Sequence, residues 1–362
     1  MAATDTATPA RRRNSPSRRR LLGALGLGGL GGLLGGGPAW AQAPAGGPAS
    51  LLYGFPNGGP ISPVLDALVA GLAGRYQPEL KGPVRYLPGN AGRVAIDALR
   101  RGPADGSQMI LLPSSLLTLL PQLGGSKGEG VLRELAPVAS VAAITFCVAV
   151  GPRVPASVRS MADYLAWMQA NPDQATVGVP GLNTGAHVLA SAIGRRAGAT
   201  FNFVTFQGTG PLVADLLSGA IASALVIVGA APEAFASGRL RGLAVTSEAR
   251  WPSVPDWPTL AELGLFEVPV VETLGLFMHG DTAPGQLEAL AAAVRALQTE
   301  GRLRELLQRI GMRQPASGGT PEGYRQALLA EAQAWAAVLV AGKLKAGPTG
   351  TAVGAAPGGQ RV

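Results

Sequence analysis

Short apolar runs alternate with amphipathic stretches along most of the chain, in the order typical of strands that lead into helices. The first unit is a predicted strand at 51–53, a Gly/Pro loop at 54–60, and a helix with Ser62 as N-cap and Pro63 in its first turn. The apolar stripe of this helix has i, i+3, i+4, i+7 spacing and consists of Leu65, Leu68, Val69 and Leu72. Such units predict an α/β fold with a mostly parallel sheet covered by helices.

The same plan recurs further along the chain. Strands are predicted at 84–87, 109–112, 136–150, 176–179, 201–206, 243–246 and 274–278. Two long helical stretches, at 286–310 and 322–339, close the pattern. About 300 residues follow the N-terminal segment, more than one hydrophobic core usually organises, so two lobes are expected.

The N-terminal segment has the three parts of an export signal. Arginines at 11–13 and 18–20 precede a Leu- and Gly-rich stretch at 21–39, and Ala39-Trp40-Ala41 offers small residues for cleavage. We therefore expect a signal peptide over 1–41 and a periplasmic mature chain. The Ser-Arg-Arg-Arg-Leu-Leu run favours the twin-arginine route, with the Sec route left open. An uncleaved anchor is the competing interpretation, but Pro38 and the weak hydrophobicity argue against it.

Most of the formal charge of +8 belongs to the predicted signal peptide. Residues 42–362 carry 24 basic and 21 acidic side chains, without basic runs, so no nucleic-acid partner is expected. The chain has one cysteine, Cys147, and two histidines, which leaves no intrachain disulfide and no basis for a metal site. No cofactor is expected.

Three predicted strand–loop–helix junctions combine small residues with a hydroxyl or amide at a helix start. They are Gly58-Gly59 with Ser62, Asn183-Thr184-Gly185, and Gly208-Thr209-Gly210. A helix N-terminus presents unpaired N–H groups and partial positive charge, so it binds carboxylate or phosphate without arginine. Because such loops meet at the carboxyl ends of the strands, the junctions predict a cleft for a small anion.

An enzyme interpretation finds little support in the residue types. The chain has no G-x-S-x-G elbow, H-E-x-x-H, Walker loop or complete dinucleotide fingerprint. His187 lies one turn into the helix after Asn183-Thr184-Gly185, where it either donates to a ligand or holds the loop. His279 is interpreted as a surface or hinge residue. No catalytic residue is expected.

Several of these segments, taken in order from about Leu51 to Leu344, resemble the Bug family, the periplasmic receptors of tripartite tricarboxylate transporters. The resemblance is carried by Tyr53-Gly54-Phe55-Pro56-Asn57-Gly58-Gly59, Pro88-Gly89-Asn90-Ala91-Gly92, Ala104-Asp105-Gly106, Asn183-Thr184-Gly185-Ala186-His187, Phe206-Gln207-Gly208-Thr209-Gly210-Pro211, the run 237–247, Val254-Pro255-Asp256-Trp257-Pro258-Thr259 and Gly318-Gly319-Thr320-Pro321-Glu322.

The resemblance implies a type II periplasmic-binding-protein fold, with two lobes joined by a double crossover and a ligand cleft between them. It places lobe 1 at 51–148 and 274–345 and lobe 2 at 149–273. The Pro-, Gly- and Ala-rich composition separately predicts a leader at 42–50 and a disordered tail at 346–362. The resemblance also implies a small organic carboxylate as ligand, membrane transporter subunits as partners, and a monomer. The expected ligand contacts are Phe55, Asn57, Gly58, Gly59, Ser62, Asn90, Ser114, Asn183, Thr184, Gly185, His187, Gly208 and Thr209.

Departures from the family pattern bear on the ligand. Ile61-Ser62 stands where Thr-Asp is common, Phe206-Gln207-Gly208 where Tyr-Lys-Gly is common, and Gly219-Ala220-Ile221-Ala222 with Val226 where two acids are usual. A less polar pocket follows, and we expect a plain carboxylate rather than a ligand held through an ammonium group. A periplasmic ligand sensor and an enzyme on a similar scaffold remain as alternatives.

Overall fold

The computed structural model describes residues 48–123, 134–266, 271–342 and 344. The predicted signal peptide, most of the predicted leader and the predicted tail lie outside the described residues. Within the described ranges, no helix combines the length and the apolar character needed to cross a membrane.

Strands and helices alternate as the hydrophobic pattern predicts. The strands are β1 (Ser50–Tyr53), β2 (Arg85–Tyr86), β3 (Gln108–Pro113), β4 (Leu135–Ile144), β5 (Phe146–Val150), β6 (Thr176–Val179), β7 (Asn202–Thr205), β8 (Ser223–Ile227), β9 (Arg241–Val245), β10 (Glu272–His279) and β11 (Met312–Arg313). The helices are α1 (Ser62–Leu72), α2 (Arg93–Arg100), α3 (Ser115–Thr118), α4 (Met161–Ala170), α5 (Gly185–Arg196), α6 (Thr209–Ser218), α7 (Pro232–Ala236), α8 (Pro284–Thr299), α9 (Arg302–Arg309) and α10 (Pro321–Ala341).

The strands form two sheets, each the centre of one lobe. The first lobe has a six-stranded sheet in the order β11-β4-β10-β3-β1-β2, in which β1, β2 and β3 are parallel. The second lobe has a five-stranded sheet in the order β7-β6-β8-β5-β9, in which β6, β7 and β8 are parallel. Two sheets flanked by helices give the α/β architecture with two lobes.

The chain crosses between the lobes twice. It leaves the first sheet after Ile144 and enters the second at Phe146, and it re-enters the first sheet at Glu272, which pairs with Ile144. The two crossings therefore lie side by side. The boundaries predicted at 148/149 and 273/274 fall inside β5 and β10, two or three residues beyond the points where the chain changes sheet.

The longest helix, α10, packs against β4 of the first lobe and also contacts α5 of the second. Its Trp335 is fully buried, and the indole N–H donates to Oε1 of Glu331 one turn earlier (3.1 Å). A continuous cluster of buried apolar side chains includes Trp335 together with residues of both sheets. Burial of this helix thus ties the two lobes together next to the crossings.

One helix predicted from the sequence is divided into two helices in the structure. The stretch 286–310 divides into α8 and α9 because Gly301 adopts a φ of +82°, a left-handed conformation that a helix cannot contain. The strand β8 was not predicted from the apolar pattern, although it is buried along its whole length in the second sheet.

Candidate functional site

A cleft opens between the two lobes, where the loops that follow the parallel strands meet. Most of its surface is apolar, and residues of both lobes and of both crossings line it. They are Tyr53, Phe55, Pro56, Gly59, Pro60, Ile61, Ser62, Pro113, Ser115, Leu116, Ile144, Phe146, Pro180, Thr184, Gly185, Ala186, Gly208, Thr209, Leu225, Val226, Ile227 and Glu272.

On the first-lobe side, the loop between β1 and α1 folds back on the start of the helix. The N–H of Gly58, a residue with φ +93°, donates to Oγ of Ser62 (2.9 Å) and to Oδ1 of Asn57 (2.8 Å). Ser62 is the first helical residue, and Ile61 occupies the N-cap position without a side-chain bond. The prediction of Ser62 as N-cap is therefore wrong, because its hydroxyl accepts from the preceding loop instead of from the helix.

On the second-lobe side, the loop between β6 and α5 turns sharply before the helix. Asn183 has φ +60°, and Thr184 caps α5: its Oγ1 accepts from the N–H of His187 (3.4 Å) and donates to the carbonyl of Gly181 (2.9 Å). The N–H groups of Gly185 and Ala186 have no intrahelical acceptor, as in any first helical turn. Both residues line the cleft, so α5 offers it an anion-binding helix start.

His187 supports this loop from behind. Its ring is fully buried, its Nδ1 accepts from the N–H of Asn183 (3.0 Å), and it lies edge-on to Phe203 with ring centroids 4.7 Å apart. It does not belong to the residues that line the cleft. Of the two roles that the sequence leaves open for His187, holding the loop is the one that these contacts describe.

The third junction lies across the cleft from the first. Gly208, with φ +98°, occupies the N-cap position of α6, and Thr209 begins the helix. A methyl group on Gly208 would lie 3.7 Å from Cδ of Pro56, in ordinary contact with the first-lobe loop. The helix starts of α1, α5 and α6 therefore all border one cleft, as the recurrence of their sequence pattern predicts.

The floor of the cleft is apolar. Ile144 and Phe146 come from the first crossing, and Leu225, Val226 and Ile227 from β8. Val226 stands at the position where the family pattern commonly has an acid. Among the residues that line the cleft in the described part of the chain, none is Lys, Arg or His. This apolar lining agrees in direction with the departures from the family pattern in the sequence.

Among the described residues that line the cleft, one is an acid, and it was not among the contacts predicted from the sequence. Glu272 is 3% exposed, and its Oε1 accepts from Oγ of Ser115 (2.5 Å). Burial raises the pKa of Glu272 to about 8, with a smaller contribution from the nearby carboxyl of Glu331. An acid inside the apolar run 268–278 is the signal that could have drawn attention to it.

The predicted contacts divide into two groups. Those that line the cleft are Phe55, Gly59, Ser62, Thr184, Gly185, Gly208 and Thr209. Those that lie outside its lining are Asn57, Gly58, Asn90, Ser114, Asn183 and His187. Asn57, Gly58 and Asn90 are exposed. Ser114 is fully buried behind the cleft, where its Oγ accepts from the N–H of Thr273 (2.8 Å), and the neighbouring Ser115 takes the lining position.

Replacing Thr184 with valine is expected to lower the free energy of unfolding by about 1 kcal/mol, because the substitution removes the cap of α5. Thr320, whose Oγ1 accepts from the N–H of Gly323 (3.0 Å), caps α10 outside the cleft lining and gives the matched control T320V. Urea unfolding should show similar losses for both variants. If T184V leaves stability unchanged while T320V lowers it, the cap at α5 is not intact in solution.

Solved structures that share this fold include the periplasmic binding protein BugD, with a TM-score of 0.71 and 20% identity, covering 82% of this chain and 97% of that one. R. palustris Rpa4515 with adipate has a TM-score of 0.74 and 23% identity, covering 84% of this chain and 98% of that one. MatC from Rhodopseudomonas palustris with bound malate has a TM-score of 0.71 and 21% identity, covering 81% of this chain and 98% of MatC. The predicted fold, a type II periplasmic-binding-protein fold with two lobes and a cleft between them, is confirmed.

Comparison with related sequences identifies the family of this chain. Protein BugT of Bordetella pertussis is 31% identical over 224 residues, which are 60% of this chain and 66% of BugT, just under two thirds of that relative's length. Residues 84–344 match the family described as the tripartite tricarboxylate transporter family receptor, TctC. That match spans well over half of the chain, and it confirms the resemblance found in the sequence motifs. The chain belongs to the TctC receptor family.

Proposed function

We propose that this chain is a periplasmic receptor that captures a small organic carboxylate in the cleft and hands it to the membrane subunits of a tripartite tricarboxylate-type transporter. One observation carries the proposal: helix starts from both lobes border a single, mostly apolar cleft whose lining, in the described residues, has no cationic side chain. Backbone N–H groups and helix dipoles can hold a carboxylate there, while the apolar floor accepts its carbon body.

Adipate and malate, found in Rpa4515 and MatC, are the first ligands to test for this chain. Closure of the two lobes around the ligand is the expected conformational change, with the paired crossings beside Ile144 and Glu272 as hinge. Export fits the same role: cleavage after Ala41 would release the mature receptor, which we propose acts as a monomer, into the periplasm.

We propose no catalytic activity for the cleft. Its one hydroxyl–carboxyl pair in the described residues is Ser115 with Glu272. Burial raises the pKa of Glu272 to about 8, so its neutral form predominates at neutral pH, and the described lining has no histidine or lysine to act as a further base. Turnover of a bound acid would contradict this part of the proposal and would favour the enzyme alternative.

A thermal-shift screen tests the proposal. We expect at least one acid of a panel containing adipate, malate and benzoate to raise the melting temperature by about 5 °C, because a hundredfold excess over Kd adds about 2.7 kcal/mol to the stability of the folded state. Lysine and arginine serve as cationic probes and should have no effect. Stabilisation by the cations and by none of the acids would overturn the proposal.

A further inference from the structure

Glu272 occupies a place in the cleft where an acid is unexpected for a receptor of anions. It begins β10 at the second crossing between the lobes and belongs to the residues that line the cleft, although only 3% of it is exposed. Oε1 accepts from Oγ of Ser115, which begins α3 and also lines the cleft. The carboxyl is therefore held in place and is not a surface side chain that could turn away.

The second oxygen, Oε2, is buried and has no hydrogen-bond partner among the residues that the structure describes. It lies against the backbone of Gly185, where an added Cβ would be 2.4 Å from it. Gly185 is the first residue of α5, the helix start best placed to hold an anion. A carboxylate bound to the N–H groups at the start of α5 would consequently lie beside Oε2.

The surroundings of Glu272 disfavour a negative charge. Glu331 and Tyr324 approach it from α10, and His187 is the titratable residue in the first turns of α5. Burial raises the pKa of Glu331 as well, to about 7, although its carboxyl accepts from Thr118 (2.8 Å) and from Trp335. Burial against the apolar floor and the neighbouring buried carboxyl of Glu331 both favour the neutral form of Glu272. An apolar site can keep a carboxylic acid neutral so that it donates a hydrogen bond.

We propose that Glu272 makes anion binding in this cleft depend on a proton. As a neutral acid it donates from Oε2 to a carboxylate held at the start of α5; as a carboxylate it repels that ligand. The inference rests on the proposed function and deepens it, since it selects ligands with a carboxylate at this position against ligands that place an ammonium group there. An ammonium group would prefer the ionised acid, and its affinity would change with pH in the opposite direction.

The sign of the pH dependence follows from this linkage. The acids of the panel are ionised above about pH 6, so the changes in protonation at alkaline pH belong to Glu272 and to its neighbour Glu331. Since the ligand carboxylate binds the neutral form of Glu272, its affinity should change little between about pH 6 and about pH 7 and fall by up to about tenfold for each pH unit above the pKa of Glu272.

Calorimetric titration with the acid that stabilises most in the thermal-shift screen tests the inference. Between about pH 7 and about pH 9 the affinity of the native chain should fall about tenfold, whereas E272Q, which keeps a donor and cannot ionise, should bind equally at both. E331Q is the matched control: it removes the neighbouring buried acid but keeps Glu272, so the fall with pH should persist. At the alkaline end, titrations in two buffers of different ionisation enthalpy should show uptake of nearly one proton per acid bound.

Each contrary result has a separate meaning. Affinity of the native chain that is constant with pH, or that rises with it, overturns the role of Glu272 and leaves the proposed function intact. An equal fall in E272Q assigns the effect to another group and also overturns the inference. If E272Q does not fold, the proton uptake of the native chain decides, and zero uptake is the contrary result. Failure of every acid to bind at any pH contradicts the proposed function itself, and the inference with it.

Discussion

Replacing Trp335 with alanine is expected to lower the free energy of unfolding by about 3–5 kcal/mol. The side chain is fully buried in α10, where it packs against the start of α5 and donates to Glu331. Alanine leaves a cavity beside the crossings and removes a donor from a buried acid, and both changes are costly. Urea unfolding followed by circular dichroism measures the loss.

Two further variants separate the contributions of Trp335. W335F keeps most of the apolar volume but removes the indole N–H, so its loss should be clearly smaller than that of W335A. W167A, at a half-buried tryptophan of α4, controls for the removal of an indole at a less enclosed site. Equal losses for W335A and W167A would show that Trp335 does not occupy the buried position described.

Replacing Gly185 with alanine is expected to weaken carboxylate binding by more than tenfold and to lower the free energy of unfolding by about 1–3 kcal/mol. The new methyl group would lie 2.4 Å from Oε2 of Glu272 and 3.0 Å from the indole of Trp335. The start of α5 would have to move away from the first lobe, and the N–H groups that face the cleft would move with it. Calorimetric titration and urea unfolding measure the two effects.

Gly210 provides the matched control for this substitution. It lies in the first turn of α6, at the third helix start, and a Cβ added there meets no atom of the described residues within 4 Å. G210A should therefore keep its affinity and gain up to about 1 kcal/mol of stability from the better helix former. Similar behaviour of G185A and G210A would mean that the close approach of Gly185 to Glu272 and Trp335 is absent in solution.

The sequence predicts the helix starts well because their signals are local. Gly58-Gly59, Thr184-Gly185 and Gly208-Thr209 combine backbone freedom with small polar side chains, and these properties act within a few residues. The order of strands and helices then brings the junctions to the same edge of each sheet. The apolar floor was also predictable at Val226, where a valine replaces an acid of the family pattern.

The features of the cleft that could not be predicted from the sequence depend on packing between distant parts of the chain. Glu272 becomes a buried cleft residue only because β10 pairs with β4 at the crossings and α10 covers the other side. Ser114 and Ser115 are equivalent as a sequence signal, and the pairing of Ser114 with Thr273 decides which of them reaches the cleft. Such choices depend on residues more than a hundred positions away.

Recognition of a carboxylate group is tested most directly by titrating the purified protein with the best acid of the panel and with the primary amide of the same acid, at about pH 7. The two compounds have nearly the same shape and differ in charge. Binding of the acid with at least tenfold loss for the amide, about 1.4 kcal/mol, is the expected result. Equal binding of acid and amide, or tighter binding of a cationic amine, would contradict capture of a carboxylate by the helix starts of this cleft.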